Sequence, residues 1–536
     1  MEELIKRIDE EIENLKQELS THNKKELEFF ERLTKFSRKS LYEIDNIDPT
    51  DIILGYIRFF DEETPFRKLK DDMERICYID NFNLNDVNKI FENFITNVKK
   101  DGVYASIDEI KEATNLMLEI IKQHKDATPE EMIEYVIKDN IDFIEQIKSK
   151  YYFPGYTIGA IVGNINIKLL GGNLDDNGRK MDPNALFDIA SISKFYTQTI
   201  IYNLIKEGKL SFDSKIYELD DRFINLKDIT IRDITSFTTT FMTNGRINEK
   251  TNIEEAYKTL YSVKAIDAQK YNYNDIGMMI MKEVAERITG IPYKDLVDKY
   301  IISRYNLKNT FLSVPFEKKH LITGTPNMEN VAVNDSNANA LGGYSGHAGI
   351  FASSDDLLKL GSNLVQGKVI DESMIDDIYL EGGAKGRGKM GNVYVSNPKG
   401  VDVSYVDRLE PIRSFALQGS TRVHLNGNKY SVSTLLLNPA SMSLEKALEN
   451  EEKINQIRVL DGKTPLSLVR KFTFDDFGNP KQYNLVDVRQ MLPSGKTVEP
   501  LLTMNAKMIL RLRFLNEFIK EYDKNYNKEI SIIKTN

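Results

Sequence analysis

Cysteine is almost absent from this 536-residue chain, which contains only Cys77. A single cysteine excludes an intrachain disulfide and a cysteine-based metal site, and it is typical of a reducing compartment. The sequence also has no apolar run of about 18 residues and no basic-then-apolar start, which predicts no membrane span and no export signal. We therefore expect a cytoplasmic protein.

A surplus of positive charge is missing as well, since the formal net charge at pH 7 is −9. Nucleic acids and anionic membranes bind basic surfaces, so the expected partner is a small-molecule or peptide substrate. The five histidines are scattered, with no helical pair and no ligand spacing. This scatter predicts no metal site, and no cofactor is expected either.

Two common functional motifs are absent. The nearest match to the Gly-x-Ser-x-Gly turn of Ser-His-Asp hydrolases is "GYSGH", where His347 replaces the last glycine. The stretches "PSGKT" and "DGKT" lack the first glycine of a phosphate-binding loop, because Gln490 and Ile457 stand at that position. The sequence therefore does not predict either class of protein.

The pattern of apolar residues changes near residue 135. Residues 1–135 carry apolar positions at helical spacing and predict an all-α N-terminal domain. A short a/d seam between Ile5 and Leu19 favours packing within that domain, and self-association through these helices remains an alternative. Thr128, followed by Pro129 and acidic residues, predicts the start of another helix.

Residues 136–536 alternate strands, loops and helices, which predicts an α+β domain with an antiparallel sheet flanked by helices. Two hairpins are expected, with turns at Gly163-Asn164 and Asn426-Gly427. A closing helix is expected at 499–525, and the sequence allows an insertion at about 441–498.

Serine and lysine stand three residues apart four times in the chain: Ser191/Lys194, Ser396/Lys399, Ser443/Lys446 and Ser531/Lys534. Only Ser191/Lys194 opens an apolar helical stripe. Residues three apart share a helix face, so the Lys194 ammonium can reach the Ser191 hydroxyl. As a base, Lys194 would need a lowered pKa. The alternative for this segment alone is an N-capping serine beside a solvated lysine.

The stretch "LFDIASISKFYTQTIIYNLIKEGKLSFDSKI" resembles the first-motif region of the class C β-lactamase and penicillin-binding protein-like superfamily of serine hydrolases. In that superfamily, Phe-x-x-Ala-Ser-x-x-Lys opens the active-site helix. The second motif, Tyr-x-Asn or Tyr-x-Asp, matches Tyr273 and Asp275 in "YNYND". These two side chains are two residues apart, so they project to the same side of an extended loop.

The stretch "VAVNDSNANALGGYSGHAGIFASSDDLLKL" is similar to a run found in one branch of the same superfamily. The resemblance implies that Asp335, Asn337 and His347 could line the substrate cleft. For His347 we favour a structural role, because turn glycines explain most of this pattern.

The third motif, Lys-Thr-Gly or His-x-Gly in the superfamily, aligns with Leu417-Gln418-Gly419. A backbone oxyanion donor survives this change, whereas a cationic or imidazole contact with the substrate does not. Recognition of a substrate carboxylate is therefore in doubt. Arg422 lies close by in the sequence and could compensate, although we favour a solvated strand-end arginine. The loop with Phe237 and Thr239-Thr240 also departs from the superfamily, which usually has His and Ser-Gly there.

The resemblance implies a β-lactamase/transpeptidase-like domain over residues 136–536. It implies a serine hydrolase that forms an acyl-enzyme from an ester, amide or lactam. Ser191 would be the nucleophile, Lys194 the base and Tyr273 the proton carrier. Asp275, Asn337, Gln418 and Gly419 would contact the substrate or its oxyanion. The alternative is a catalytically weak or inactive binding protein with a helical interaction module.

Overall fold

A computed structural model describes the part of the chain that follows the N-terminal region. The described residues are 128–150, 153–175, 178–250, 252–268, 273–324, 333–370, 414–419, 422–428, 431–438, 441–443, 451–460, 485–487, 529–536, residue 465 and eight positions between 501 and 516. The predicted all-α domain lies outside these residues up to residue 127, as do Cys77 and the proposed self-association.

The centre of the described region is a six-stranded sheet. Its strands, in spatial order, are β13 (Ile530–Thr535), β2 (Ile165–Gly172), β1 (Gly155–Val162), β10 (Ser431–Asn438), β9 (Val423–Asn428) and β8 (Ser414–Gly419). Neighbouring strands are antiparallel except β13, which runs parallel to β2. The sheet therefore joins segments from both ends of the predicted domain.

The first predicted hairpin is confirmed and the second is displaced. Gly163 adopts a positive φ of 56° between β1 and β2, as the expected turn requires. Asn426-Gly427 instead lies inside β9, and the chain reverses after Asn428, which pairs with Ser431. Gly427 is needed for close packing, because a Cβ there would lie 2.4 Å from the ring of Phe415.

Smaller strands and helices complete the described region. The smaller strands are β3 (Phe187–Asp188), β4 (Thr239–Met242), β5 (Lys264–Ala268), β6 (Thr310–Phe311), β7 (Phe351–Ala352), β11 (Ser441–Ser443) and β12 (Leu485–Asp487). The α-helices are α1 (Pro129–Lys150), α2 (Ser193–Lys206), α3 (Ile216–Leu219), α4 (Ile231–Thr235), α5 (Ile253–Tyr261), α6 (Ile276–Thr289), α7 (Tyr293–Val297), α8 (Ser336–Ala340), α9 (Ser354–Val365) and α10 (Glu451–Leu460). Short 3₁₀ helices are at Ala190–Ile192, Ile247–Glu249 and Phe316–Leu321, and a π-helical turn is at Asp298–Ile302.

Helix α1 begins where the sequence predicts. The Glu131 N–H donates to Thr128 Oγ1 at 3.2 Å, and the Thr128 N–H donates to Glu131 Oε2 at 2.8 Å. These reciprocal bonds satisfy backbone donors that the helix start leaves free. Pro129 at the first helical position needs no hydrogen-bond acceptor.

Helices cover both faces of the sheet. Helix α9 packs on β1, β9 and β10, and a Cβ at Gly159 would touch Ser354 and Leu358 of α9. Tyr156, three residues earlier in β1, points to the opposite face. Burial and the nearby Glu145 of α1 raise the pKa of Tyr156 on that face. The described part of the chain thus confirms a mixed helix and sheet fold.

The closing helix of residues 499–525 is described only in part. The described positions between 501 and 516 are helical. Two hydrogen bonds fix them: Asn140 Nδ2 of α1 donates to Met508 Sδ at 3.1 Å, and the Asn164 N–H at the β1–β2 turn donates to Asn516 Oδ1 at 3.0 Å. This helix therefore lies beside α1 at the same end of the sheet as that turn.

Helix α2 runs through the core, with most of its side chains buried, and packs against α6. Among the residues the structure describes, no helix combines the length and the apolar character needed to cross a membrane.

In the segment proposed as an insertion, β11 pairs only with β12 among the described strands. The domain boundaries remain a prediction.

Candidate active site

Ser191 lies in the 3₁₀ turn that leads into α2. The residue before it, Ala190, has a positive φ of 45°, which is strained for a residue with a Cβ. The Ala190 N–H donates to Asp188 Oδ1 at 2.8 Å, which helps to hold this conformation. The N-cap of α2 is Ile192, so Ser191 does not cap the helix. The N-capping interpretation of Ser191 is therefore wrong.

Lys194, in the first turn of α2, is fully buried and contacts both a hydroxyl and a carboxylate. Its Nζ donates to Ser191 Oγ at 2.8 Å and lies 2.7 Å from Asp275 Oδ1. The solvated-lysine interpretation is therefore wrong as well. Burial lowers the pKa of Lys194, but Tyr273 and Asp275 outweigh this effect, and the pKa is raised. These contacts therefore do not favour the lowered pKa that a lysine base would need, and the sequence did not reveal that Asp275 is the counterion. The catalytic role of Lys194 stays a prediction.

Asp275 is the residue before α6 and is partly exposed. Burial raises the pKa of its carboxyl, but Lys194 and His347 outweigh that effect and leave the pKa below its usual value. An ionised carboxylate accepts hydrogen bonds and does not donate them. Asp275 is therefore suited to hold Lys194 or a substrate donor, and it cannot stabilise an oxyanion.

Tyr273 borders the same lysine from the solvent side. Its ring centroid is 4.7 Å from Lys194 Nζ, and the side chain is 40% exposed. The intervening Asn274 points elsewhere: its Nδ2 donates to the Thr239 carbonyl at 3.1 Å. The expectation that residues 273 and 275 project to one side is therefore confirmed.

Phe237 is a residue that sequence reasoning did not assign to the site. Its ring stacks on Tyr273 with centroids 5.3 Å apart and planes 2° from parallel. Phe237 is buried and has a positive φ of 54°, a second strained backbone beside the site. The available signal was its departure from the histidine that the resemblance leads one to expect.

Asp335 and His347 lie next to Asp275. Asp335 caps α8, accepting the Ala338 N–H at 2.8 Å, and it also accepts from His347 Nε2 at 2.8 Å. Burial raises the pKa of Asp335, but His347 outweighs it and the pKa falls to about 2. Asn337 is half-buried on α8, two residues further on.

Oxygen and nitrogen atoms of Asp275, Asp335 and His347 lie within 4.8 Å of one another. Such a set could hold a metal ion in principle. Here the Lys194 ammonium already contacts Asp275, so a second cation would be repelled at that carboxylate.

The third motif lies at the end of β8. Leu417 is buried in the core, Gln418 is half-buried, and Gly419 is buried. A Cβ at Gly419 would lie 2.3 Å from the Ile189 carbonyl oxygen, so the strand passes directly against the turn that carries Ser191. The structure therefore brings Gly419 to the turn that carries Ser191, although the lysine or histidine of the usual motif is missing.

Comparisons with known proteins show what this chain is similar to. A family model described as Beta-lactamase matches residues 140–400. The teichoic acid D-alanine hydrolase of Staphylococcus aureus is 25% identical over 215 residues, 39% of this chain and 53% of that protein. The chain thus spans about half the length of the curated relatives it matches.

Two solved structures are also similar. A class C β-lactamase from Rhodobacter sphaeroides has 16% identity and a TM-score of 0.45, covering 56% of this chain and 94% of that one. FmtA from Staphylococcus aureus has 17% identity and a TM-score of 0.46, covering 59% and 87%. Residues 140–400 of this chain are thus similar to the β-lactamase family, and the curated relatives it resembles are hydrolases.

Proposed function

We propose that this protein is a serine hydrolase that cleaves a carboxylic ester through an acyl-enzyme on Ser191. One observation carries the proposal: buried Lys194 lies 2.8 Å from the Ser191 hydroxyl, beside Tyr273 and paired with Asp275. A nucleophile within hydrogen-bond reach of a group that is itself oriented by a third is the arrangement that activates a hydroxyl.

In the proposed acylation, Ser191 Oγ attacks the ester carbonyl and forms a tetrahedral intermediate. Because Asp275 and Tyr273 favour the charged form of Lys194, its proposed role is to orient the hydroxyl and to stabilise negative charge, rather than to act as the base that the sequence suggested. The serine proton passes to Tyr273 Oη while Tyr273 gives its own proton to the leaving alcohol. The ester C–O bond breaks, and the acyl group stays on Ser191.

Deacylation is the same relay in reverse. A water molecule attacks the acyl carbon, its proton passes to Tyr273, and the Tyr273 proton returns to Ser191 Oγ. The products are a carboxylic acid and the free enzyme. Tyr273 is 40% exposed, so this relay lies where water has access.

Backbone donors are proposed to stabilise the oxyanion. The N–H groups of Ser191 and Gly419 are the candidates, because β8 passes against the 189–191 segment. Such donors act through fixed dipoles that need no reorganisation when charge develops. Leu417-Gln418 provides no cation beside them.

The substrate class follows from charge and from the relatives. Without a lysine or histidine in the third motif, a substrate carboxylate of the β-lactam or D-Ala-D-Ala kind lacks its usual contact. The curated relatives are described as teichoic acid D-alanine hydrolases, so an ester of an amino acid such as D-alanine is the first substrate to test. Amides and lactams are proposed as weaker substrates, and the cytoplasmic location remains a proposal.

The test combines serine-directed labelling with ester hydrolysis. A fluorophosphonate probe and a p-nitrophenyl ester are applied to the wild-type protein, to Ser191→Ala and to Ser211→Ala. Ser211 is the control, because it is an exposed serine beyond the end of α2. We expect labelling and hydrolysis to disappear in Ser191→Ala and to persist in Ser211→Ala.

The altered third motif favours one alternative, a β-lactamase-like protein that binds without turning over. Absence of labelling and of ester hydrolysis in folded wild-type protein would support this alternative and overturn the proposed function.

A further inference from the structure

Behind Asp275 lies a buried imidazole and carboxylate pair that the proposed reaction does not use. His347 is 1% exposed, and its two ring nitrogens contact Asp335 Oδ1 at 2.8 Å and Ser345 Oγ at 2.9 Å. Because the pKa of Asp335 is about 2, its carboxylate is an acceptor, and His347 Nε2 must carry the hydrogen. The pair therefore has a defined orientation.

The pair lies close to the groups around the proposed nucleophile. Atoms of His347 and Asp335 lie within 4.8 Å of the Asp275 carboxylate, and Asp275 contacts Lys194 at 2.7 Å. Lys194 in turn donates to Ser191. His347 and Asp335 thus act on Asp275 at electrostatic range, and Asp275 is paired with the lysine that orients the proposed nucleophile.

The loop that carries His347 is fastened to the nucleophile helix on both sides of this histidine. Thr197 Oγ1 of α2 donates to the Gly346 carbonyl at 2.5 Å, and the Ile350 N–H donates to Ser193 Oγ at 3.4 Å. Ser193 and Thr197 flank Lys194 along α2. These two bonds therefore hold the loop that carries the imidazole at a fixed position along α2, beside Lys194.

Glycines account for the turn but not for the histidine. Gly346 has a φ of 85°, and a Cβ there would lie 2.3 Å from the Met278 carbonyl oxygen of α6. Gly349 has a φ of 107° and meets the Gly343 carbonyl oxygen in the same way. These positions need glycine for conformation and space. A buried imidazole costs free energy unless its polar atoms are paired, so the turn alone gives no reason for His347.

We propose that His347 and Asp335 form a positioning pair that fixes the Asp275 carboxylate against Lys194 and so keeps the Ser191 hydroxyl oriented for attack. This inference rests on the proposed function, and it assigns no direct contact with substrate to either residue. His347 acts through Asp275, and Asp335 acts through His347.

The pair also adds to the charge balance around the lysine. The groups that face Asp275 are Lys194 from α2, Tyr273 from the preceding loop, and Asp335 and His347 from the 333–350 segment. Without His347, Asp335 would lose a buried hydrogen-bond donor, and its carboxylate would lie beside that of Asp275 with only Lys194 to balance them. The pKa of Asp275 is then expected to rise, because His347 helps to lower it in the wild-type protein. The fall in reaction rate on the acidic side of the pH profile should therefore occur at higher pH.

The experiment measures the second-order rate constant of fluorophosphonate labelling from pH 4 to 9. The variants are His347→Gln, Asp275→Asn, the double variant, and His320→Gln as the control. His320 is an exposed histidine in the described region, away from the site. Circular dichroism and thermal melting check that each variant is folded.

We expect His347→Gln to lower the rate by about tenfold and to shift the acidic limb upward by about one pH unit. Asp275→Asn should lower the rate as well, and adding His347→Gln to it should change little more, because the two residues act through one contact. His320→Gln should match the wild type.

Two outcomes overturn the inference while leaving the proposed function intact. One is a wild-type rate and pH profile in folded His347→Gln; the other is a full, additive loss in the double variant. If His347→Gln does not fold, Asp335→Asn replaces it in the same cycle, because an asparagine can still cap α8. Failure of the wild type to label through Ser191 is a different result, and it contradicts the proposed function itself.

Discussion

Two buried lysines lie on neighbouring helices, and their surroundings are alike in kind. Lys194 on α2 pairs with a carboxylate and lies beside a tyrosine ring, and Lys282 on α6 has neighbours of the same two kinds. Lys282 Nζ is 2.8 Å from Glu283 Oε1, 2.9 Å from Glu286 Oε2 and 5.5 Å from the Tyr257 ring centroid. Both lysines have raised pKa values, despite burial, because their partners outweigh it. A raised pKa therefore does not distinguish the lysine that we propose to act in catalysis from one that serves only stability.

The difference lies in what else each lysine touches. Lys282 is enclosed by two carboxylates and a half-buried tyrosine, which consume its hydrogen-bonding capacity within the protein. Lys194 has one carboxylate, and its remaining contacts are the Ser191 hydroxyl and the exposed Tyr273. A buried lysine becomes available for chemistry when its partners include a hydroxyl and a group open to solvent.

The strongest test of this difference uses variants that remove the charge of each lysine. Lys194→Met should lower the fluorophosphonate labelling rate by at least about a thousandfold, since groups acting as one unit fail together. Lys282→Met should label within about threefold of wild type but lose about 1–3 kcal/mol of stability, because Glu283 keeps Arg222 as a cation but one of its buried oxygens loses its donor. Labelling kinetics and urea unfolding measure the two effects. If both folded variants lost labelling equally, the proposed difference between Lys194 and Lys282 would be contradicted.

The two tyrosines provide the next comparison. Tyr273→Phe removes the hydroxyl proposed to carry the proton and should lower ester hydrolysis by about 10²–10⁴-fold. Tyr257→Phe removes a hydroxyl that accepts from Lys282 Nζ at 3.2 Å, and it should lower stability by about 1 kcal/mol with hydrolysis nearly unchanged. A Tyr273→Phe enzyme with wild-type turnover would exclude that residue as the proton carrier.

A pair of glycines tests the strand side of the site. Gly419→Ala would place a Cβ against the rigid Ile189 carbonyl and disturb a proposed oxyanion donor, so hydrolysis should fall by about 10²-fold. Gly427→Ala meets a side chain, the ring of Phe415, and should reduce stability more than it reduces turnover. Steady-state kinetics and thermal melting separate the two, and wild-type kinetics in Gly419→Ala would argue against this donor.

The smallest expected effect concerns pH. The folded-state pKa of Asp335 is about 2, against a usual value of 3.8. A depressed carboxyl pKa adds stability that is present above about pH 4 and is lost as pH falls from about 4 to about 2. Asp335→Asn should therefore flatten the dependence of the unfolding free energy on pH in this window. Urea unfolding at several pH values measures it; parallel curves for both proteins would contradict the assignment.

The sequence was informative where local spacing determines the contact. Ser191 and Lys194 share a turn, and Tyr273 and Asp275 share one side of a loop, so pattern and family resemblance were sufficient to place them together. Thr128 and Glu131 likewise form the helix start that their spacing predicts.

Sequence reasoning failed where distant segments meet. The charge of Lys194 depends on Asp275, and the orientation of His347 depends on Asp335, and neither pairing has a local signal. Asn426-Gly427 has the composition of a turn, yet packing against Phe415 places it inside β9. The roles of the site residues, the domain boundaries and the function of residues 1–135 stay predictions.

The pairing of β13 with β2 has a consequence for how the chain folds. Ile165 pairs with Ile530, and β1 pairs with β10, so the central sheet is assembled from residues that are far apart in sequence. Non-local contacts of this kind require large loops to close before they contribute, and they slow folding. We expect the sheet to form late, after the locally organised α2 and α6, and refolding to be slow compared with that of helical proteins of similar size.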